Sequence, residues 1–317
     1  MIYKIVLSCL LFLSTISYAF AQKTVKIYSR YSIESKSSLV PIIMIRQMNE
    51  IQKEYEFVLS ELPGSNGDAA ALRSIAEARA GRETLLLTAA STYSTNRYVM
   101  EPVFDRDKDL VPIFGISGAN FAFMVNPNSK VETLVDLAKM IKDKPQAYYA
   151  RTSATGNTVF FEALFRKEFG ITNIKQLTYQ RPGDMLRSIL MGESDYTVFP
   201  VGFYPELKHI AISNDVRSSL MPNVLTGKES GLDDFLFTSI SLISVPKEQK
   251  DFGMKIIDIL TRSCMTNEVK NITDKIQVER YCYGPEKTYN QIRQEIDLME
   301  KHKELLIELN KNQKSSD

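Results

Sequence analysis

Histidine is scarce in this sequence, and several signatures of catalysis are missing altogether. His209 and His302 are the only histidines, so histidine-based metal sites and catalytic triads have little to draw on. The sequence contains no G-x-S-x-G nucleophile elbow, no G-x-x-x-x-G-K-[ST] phosphate loop and no G-x-G-x-x-G fingerprint. We therefore expect a protein that is not an enzyme and that carries neither a metal ion nor a cofactor.

Cysteine is also rare, with three residues in the chain. Cys9 falls in the N-terminal segment described next, which leaves Cys264 and Cys282, and two cysteines 18 positions apart do not make a zinc site. In an oxidising compartment such a pair forms a disulfide, worth ~3 kcal/mol for a loop of this length. Two buried free thiols are the alternative, and we favour the disulfide.

The first 22 residues have the pattern of a cleaved signal peptide. Lys4 precedes an apolar run from residue 5 to residue 16, and Ala19-Phe20-Ala21 supplies the small-x-small site cut before Gln22. No later stretch approaches the roughly 20 apolar residues that a membrane helix needs. We expect an exported, soluble protein of the periplasm.

The charge balance limits the class of partner, and the hydrophobic content indicates how many cores the chain can form. The first 22 residues contain one lysine and no acid, so the remaining chain has 38 basic and 38 acidic residues. This balance argues against a nucleic-acid partner, which a basic excess usually marks. A hydrophobic content of 44% is sufficient for two lobes with separate cores.

Strand-like and helix-like segments alternate along the chain, which is typical of an α/β fold. The terminal helix is predicted over residues 286–309. The first helix is predicted to be capped by Ser38, with Pro41 in its first turn. Residues 129–132 read as a capping box that opens another helix. The other predicted strands and helices cover residues 24–31, 57–59, 68–80, 84–88, 121–125, 148–150, 158–169, 184–191, 196–199 and 235–245. We find no internal repeat or low-complexity linker, which suggests lobes that interleave in sequence.

An ordered series of motifs resembles one receptor family. Residues 62–67 (L-P-G-S-N-G), an Ala-rich helix and residues 84–87 (T-L-L-L) resemble the P-G-A-G-G and Y-T-L-L-L signature of tripartite tricarboxylate transporter receptors, also called Bug proteins. The order continues with V-N-P at 125–127, E-A-L-F at 162–165 and S-L-I-S-V-P at 241–246. The resemblance covers essentially the whole mature chain.

The resemblance implies a two-lobed type-2 periplasmic-binding-protein fold. In each lobe a mixed sheet is flanked by helices, and two chain segments form the hinge. Lobe one is expected to comprise residues 23–119 plus 236–317, and lobe two residues 120–235. The resemblance further implies a receptor that delivers its ligand to integral membrane transporter subunits, and we expect this receptor to be a monomer.

The sequence departs from the family where the ligand is expected. The family's first loop is glycine-rich, whereas residues 30–38 (R-Y-S-I-E-S-K-S-S) contain no glycine. In the second-lobe loop the serine and glycines of the family are replaced by Arg151, Ser153 and Thr155. These departures leave the class of ligand open.

Two helix N-termini are expected to face the cleft, after residues 35–38 and after residues 151–157, because an N-terminus offers unpaired N–H groups to an anion. Arg151 is the strongest single candidate, since a guanidinium matches a carboxylate bidentately. The alternative for each candidate is a role without ligand binding, as a solvated loop residue, a turn residue or a core residue. The candidate ligand-binding residues are Ser35, Lys36, Ser37, Ser65, Asn66, Ser91, Thr92, Arg151, Ser153, Thr155, Asn157 and Tyr179.

The leading hypothesis is a receptor that closes on an organic carboxylate. A receptor of the same fold for a non-carboxylate ligand, a sensor partner that presents ligand to a membrane kinase, and a periplasmic enzyme are the alternatives.

Overall fold

The computed structural model describes residues 22–63, 67–152, 156–218, 221–236 and 238–314. Apart from Gln22, the predicted signal peptide lies outside these residues. Within them, no helix combines the length and the apolar character needed to cross a membrane.

Eleven strands are described. They are β1 (Lys23–Ser29), β2 (Tyr55–Glu61), β3 (Thr84–Ala89), β4 (Leu110–Val125), β5 (Ala147–Arg151), β6 (Ile174–Thr178), β7 (Tyr196–Pro200), β8 (Lys208–Ile212), β9 (Leu225–Thr226), β10 (Thr238–Pro246) and β11 (Glu279–Tyr283).

Helices separate most of these strands. They are α1 (Lys36–Ile51), α2 (Asp68–Arg79), α3 (Asn96–Val99), α4 (Leu134–Lys142), α5 (Asn157–Glu168), α6 (Pro182–Leu190), α7 (Lys250–Lys255), α8 (Ile257–Cys264), α9 (Asn267–Lys275), α10 (Pro285–Lys301) and α11 (Lys303–Lys314).

The strands form two sheets that share β4. In the first sheet β2, β1 and β3 are parallel, β10 runs antiparallel to β3, and the first part of β4 runs antiparallel to β10 on its other side. From Phe121 onward β4 pairs instead with β7 and β8, and β5 and β6 extend this second sheet. Each sheet is the centre of one lobe. The predicted alternation of strands and helices and the predicted two-lobed type-2 periplasmic-binding-protein fold are both confirmed.

Strand β4 can serve both sheets because it is long and apolar. Every residue from Ile113 to Val125 is buried, which is typical of a strand covered on both faces. Beside it, β10 pairs with β4 from Thr238 opposite Asn120 to Pro246 opposite Leu110. Two adjacent strands therefore lie where the lobes join.

The two lobes have separate hydrophobic cores. In lobe one, Ile27, Met44 and Leu85 belong to a cluster that packs α1 against the first sheet. In lobe two, Phe123 and Phe161 belong to a cluster rich in aromatic rings, whose centroids lie 5 to 6 Å apart in several pairs.

Three predicted helix boundaries were wrong. The first helix begins at Lys36 after the N-cap Ser35, so Pro41 lies inside it rather than in its first turn. The capping box is formed by Thr133 and Asp136, because the Thr133 side chain accepts from the Asp136 N–H and the Asp136 carboxylate accepts in return. The terminal helix is divided in two at His302.

The end of the chain packs on lobe two. Met299 and Leu306 belong to the core cluster that contains Phe160 and Phe165. The imidazole Nε2 of His302 lies 2.7 Å from a carboxylate oxygen of Asp234, close to the point where the chain returns to lobe one. The last helices thus connect the two lobes.

Cys264 and Cys282 are joined by a disulfide with a Cα–Cα separation of 5.7 Å. The bond links the end of α8 to β11. It therefore ties two elements of lobe one that lie beside β4.

Candidate functional site

A cleft of about 310 Å³ lies between the two sheets. Its walls come from the segments that follow β1, β3, β5 and β7, so all four contribute their carboxyl ends. Ligands of open α/β sheets bind at this edge because the loops there converge. The position of the cleft therefore agrees with a ligand site.

The N-terminus of α1 forms one wall of the cleft. Lys36 and Ser37, two of the candidate ligand-binding residues, line it. The N-cap Ser35 makes no side-chain cap, and its hydroxyl lies 3.3 Å from that of Ser38. The first N–H groups of α1 therefore receive no side-chain acceptor from the N-cap, which favours an anion there. Ser35 itself is not among the lining residues.

The N-terminus of α5 forms part of the opposite wall. Gly156, Asn157 and Thr158 line the cleft there. Gly156 is the N-cap, with a φ of 96° that favours glycine, and it has no side chain with which to cap the helix. The two helix N-termini predicted to face the ligand both lie at the cleft.

Arg30 is the cleft residue that sequence reasoning missed. Its guanidinium donates to the hydroxyls of Ser91, at 3.3 Å, and Thr92, at 3.2 Å, and it lies 5.6 Å from the ring centroid of Tyr31. A Cβ atom added at Gly67 would lie 3.1 Å from the Cβ of Arg30, so the glycine permits this packing. The available signal was position, since Arg30 directly follows a strand of the parallel sheet.

Lys36 connects the lobes across the cleft. Its ammonium donates to the carbonyl oxygen of Phe203, at 2.8 Å, and lies 5.5 Å from the centroid of that ring. A second contact between the lobes joins the Thr95 hydroxyl to the Asn157 side-chain oxygen at 2.5 Å. Two hydrogen bonds, one from Lys36 and one from Thr95, therefore connect the lobes beside the cleft.

The cleft is electropositive. Arg30 and Lys36 are its charged lining residues, and the described lining includes no aspartate or glutamate. Neither side chain forms an ion pair with a described residue. The carboxylate of Asp68, whose pKa is raised by burial, is already paired at 3.2 Å with the buried Arg106. Arg30 interacts electrostatically with Asp68, but neither cation forms a salt bridge within the described part of the chain.

Thr92, Arg151 and Tyr179 do not line the cleft. Thr92 is buried and accepts from Arg30, so it holds a lining residue. The Arg151 guanidinium donates through Nε to the hydroxyl of Thr178 at 3.0 Å, and burial lowers its pKa. The Tyr179 hydroxyl lies 3.2 Å from that of Ser194.

The candidate Ser91 lines the cleft, whereas Ser65, Asn66, Ser153 and Thr155 lie outside the described residues. Apolar side chains that were not selected from the sequence complete the walls of the cleft. They were not selected because their alternation along the sequence resembles that of core residues. They are Tyr31, Val40, Phe121, Phe199, Phe203, Ile276 and Val278.

The two sheets, the shared strand and the cleft between them define a two-lobed solute-binding protein. The family model described as the tripartite tricarboxylate transporter family receptor matches residues 47–310, and the chain belongs to this family. This is a family of solute receptors rather than of enzymes, and its members work in the periplasm.

Solved structures show the same fold at low sequence identity. Rpa4515 of R. palustris, solved with adipate, is 16% identical with a TM-score of 0.74, over 92% of this chain and 98% of that one. MatC from Rhodopseudomonas palustris, with bound malate, is 15% identical with a TM-score of 0.73, over 89% and 98%. The periplasmic binding protein BugD is 16% identical with a TM-score of 0.70, over 88% and 97%. The search of curated proteins returned no match.

Proposed function

We propose that this protein captures a small carboxylate in the cleft between its lobes and delivers it to a tripartite membrane transporter. The observation that carries the proposal is the pair Arg30 and Lys36, two lining cations with no salt-bridge partner among the described residues. A bound carboxylate supplies that partner. The adipate and malate bound by Rpa4515 and MatC support the same class of ligand.

The available donors are sufficient for useful affinity. A dissociation constant near 1 µM requires about 8 kcal/mol. Hydrogen bonds to a charged group contribute about 1.5–3 kcal/mol each, and a helix N-terminus about 0.3–1 kcal/mol, or up to about 2 when partly buried. Arg30, Lys36 and the N-termini of α1 and α5 together reach this range if closure excludes water.

We propose that lobe one comprises residues 23–119 plus 236–317 and that lobe two comprises residues 120–235. Strand β4 passes from the first sheet to the second at Asn120 and Phe121, and the chain returns before β10 begins at Thr238. Bending at these two crossings opens and closes the cleft. Helix α11 belongs to the second chain segment of lobe one but packs on the core of lobe two, so it bridges the lobes.

The setting follows from the sequence and the family. The signal-peptide pattern of residues 1–22 supports export and cleavage near Ala21 and Gln22. We infer that the mature chain acts as a monomer, binds its ligand without turnover and meets integral membrane transporter subunits when it is closed.

A thermal-shift screen of the mature protein tests the proposal. A ligand that binds the folded state raises the melting temperature with the logarithm of its concentration. Carboxylates are compared with amides of the same skeleton, which lack the charge. We expect the acids to raise the melting temperature and their amides to leave it unchanged. Shifts produced by neutral or cationic ligands alone would overturn it, and chemical conversion of a bound acid would indicate an enzyme.

A further inference from the structure

The lining of the cleft combines cations with apolar side chains. Lobe one contributes Arg30 and Lys36, whereas the segment of lobe two that faces them contributes Phe199, Pro200 and Phe203. Carbon atoms form most of the exposed wall. A ligand that fits this lining has an anionic group and an apolar body.

Aromatic rings form a large part of the apolar wall. Phe199 and Phe203 meet edge to face with their centroids 5.4 Å apart. Tyr31 of lobe one and Phe121, which pairs with Pro200 in the second sheet, add two further rings to the lining. Aromatic pairs prefer offset or edge-to-face contacts, so rings in this arrangement favour a flat aromatic guest over an aliphatic one of equal size.

The cations lie beside two of these rings. The Arg30 guanidinium is 5.6 Å from the centroid of Tyr31, and the Lys36 ammonium is 5.5 Å from that of Phe203. A carboxylate held by either cation therefore has a ring within reach of its adjoining carbon atoms. The anionic and aromatic contacts are adjacent, as a carboxyl group directly attached to a ring requires.

Several polar groups of the lining already have protein partners. The Ser91 hydroxyl accepts from Arg30, the Asn157 side-chain oxygen accepts from Thr95, and the Ser241 hydroxyl donates to the Tyr31 hydroxyl at 3.5 Å. These contacts occupy part of their hydrogen-bonding capacity. A hydroxyl group on the ligand body would therefore find fewer free partners at these three residues, which disfavours a hydroxylated ligand there.

We propose that the ligand is an aromatic carboxylate, with its carboxylate at Arg30 and Lys36 and its ring against Phe199 and Phe203. This inference rests on the proposed carboxylate function and narrows it to a substrate class. The residues that select the ring are distinct from those that select the charge, so the two claims can be separated.

The experiment measures the affinity of the mature protein for two matched pairs of acids by calorimetry. Benzoate is compared with cyclohexanecarboxylate, and terephthalate with adipate, with malate as the hydroxylated reference. The aromatic member of each pair is expected to bind roughly 2- to 10-fold more tightly. Aliphatic or hydroxylated acids that bind as tightly would overturn the inference and leave the carboxylate function standing. Failure of all carboxylates would overturn both.

A pair of variants locates the effect. Phe203→Leu keeps the backbone carbonyl that accepts from Lys36 but removes the ring, so the preference for the aromatic acid is expected to disappear. Phe169→Leu removes a partly buried ring of lobe two that packs on Phe165 outside the cleft, and the preference is expected to persist. An unchanged preference in Phe203→Leu would contradict the assignment.

Discussion

Gly202 of lobe two lies directly against Ile276 of lobe one. A Cβ atom at position 202 would lie 2.1 Å from the Ile276 carbonyl oxygen, and the φ of Gly202 is 85°. Such a separation is far below van der Waals contact, and the obstructing atom belongs to the backbone. The two lobes can adopt this arrangement only because residue 202 has no side chain.

Gly202→Ala is therefore expected to oppose closure. The methyl group forces the lobes apart while each lobe stays folded. Ligand affinity should therefore fall by 10-fold or more, which corresponds to a loss of at least about 1.4 kcal/mol. Calorimetry measures the affinity, and small-angle scattering measures the ligand-induced decrease in radius.

Gly192→Ala is the matched control, since Gly192 also has a positive φ, of 77°, but an added Cβ meets nothing within 4 Å. It carries the backbone strain without the clash and should retain affinity. Equal losses in both variants would show that strain, rather than contact between the lobes, is responsible.

Thr92 is expected to act through Arg30. Its buried hydroxyl accepts from the Arg30 guanidinium at 3.2 Å and lies 2.7 Å from that of Thr88. Thr92→Val removes this acceptor, and a net hydrogen bond is worth about 0.5–1.5 kcal/mol, so affinity should fall about 2- to 10-fold. Binding is measured well below the melting temperature.

Thr273→Val is the control for Thr92→Val, because Thr273 is equally buried but donates only to carbonyl oxygens of its own helix in the described contacts. It should lower stability without lowering affinity. A Thr92→Val variant that binds as tightly as the wild type would show that Arg30 does not need this support.

The disulfide is expected to contribute to stability. A bond that closes a loop of 18 residues contributes ~3 kcal/mol. For a chain of this size each kcal/mol shifts the melting temperature by about 2–4 °C, so a reductant should lower it by roughly 6–12 °C. A Cys264→Ala/Cys282→Ala variant serves as the control and should be insensitive to the reductant. A wild type that melts at the same temperature with and without reductant would contradict the expectation.

Glu295 is expected to make stability depend on pH. Burial raises the pKa of this carboxyl well above its ordinary value, and a hydrogen bond from Ser94 at 3.1 Å only partly opposes the shift. A raised folded-state pKa means that the contribution to stability is fully present below the unfolded pKa of about 4.3 and is lost as pH rises through the folded pKa.

Glu295→Gln imitates the protonated carboxyl and removes this dependence. The difference in melting temperature between the variant and the wild type should grow in favour of the variant from pH 4 to pH 8. Glu304→Gln, at an exposed position of α11, should show no such trend. A difference that stays constant with pH for Glu295→Gln would contradict the assigned ionisation.

The order of the elements could be predicted from the sequence because apolar periodicity and motif order are local, whereas two predicted caps were wrong because the cleft helix α1 has no side-chain cap and α4 is capped by Thr133. Lys36 and Asn157 were selected from their positions near predicted helix N-termini. Arg30 was missed because its direction depends on Ser91 and Thr92, which are about 60 positions away in sequence. Arg151 was selected for its charge, yet its guanidinium is held by Thr178 on the neighbouring strand.

Tertiary contacts also explain the errors in the fold. The terminal helix has continuous apolar spacing, but it is interrupted at His302, where the imidazole contacts Asp234. The spacing of Met299 and Leu306 predicts that they are buried and does not reveal which lobe covers them. The aromatic cleft residues were likewise indistinguishable from core residues until the two sheets were placed together.

Replacement of the Arg30 guanidinium tests the central claim most directly. We expect Arg30→Gln to weaken binding of the best carboxylate by roughly 10- to 150-fold, the equivalent of about 1.5–3 kcal/mol. The control Arg46→Gln removes an exposed guanidinium that is paired with Glu50 on α1, and it should leave carboxylate affinity unchanged. Carboxylate affinity in Arg30→Gln equal to that of the wild type, measured by calorimetry under the same conditions, would contradict the central claim.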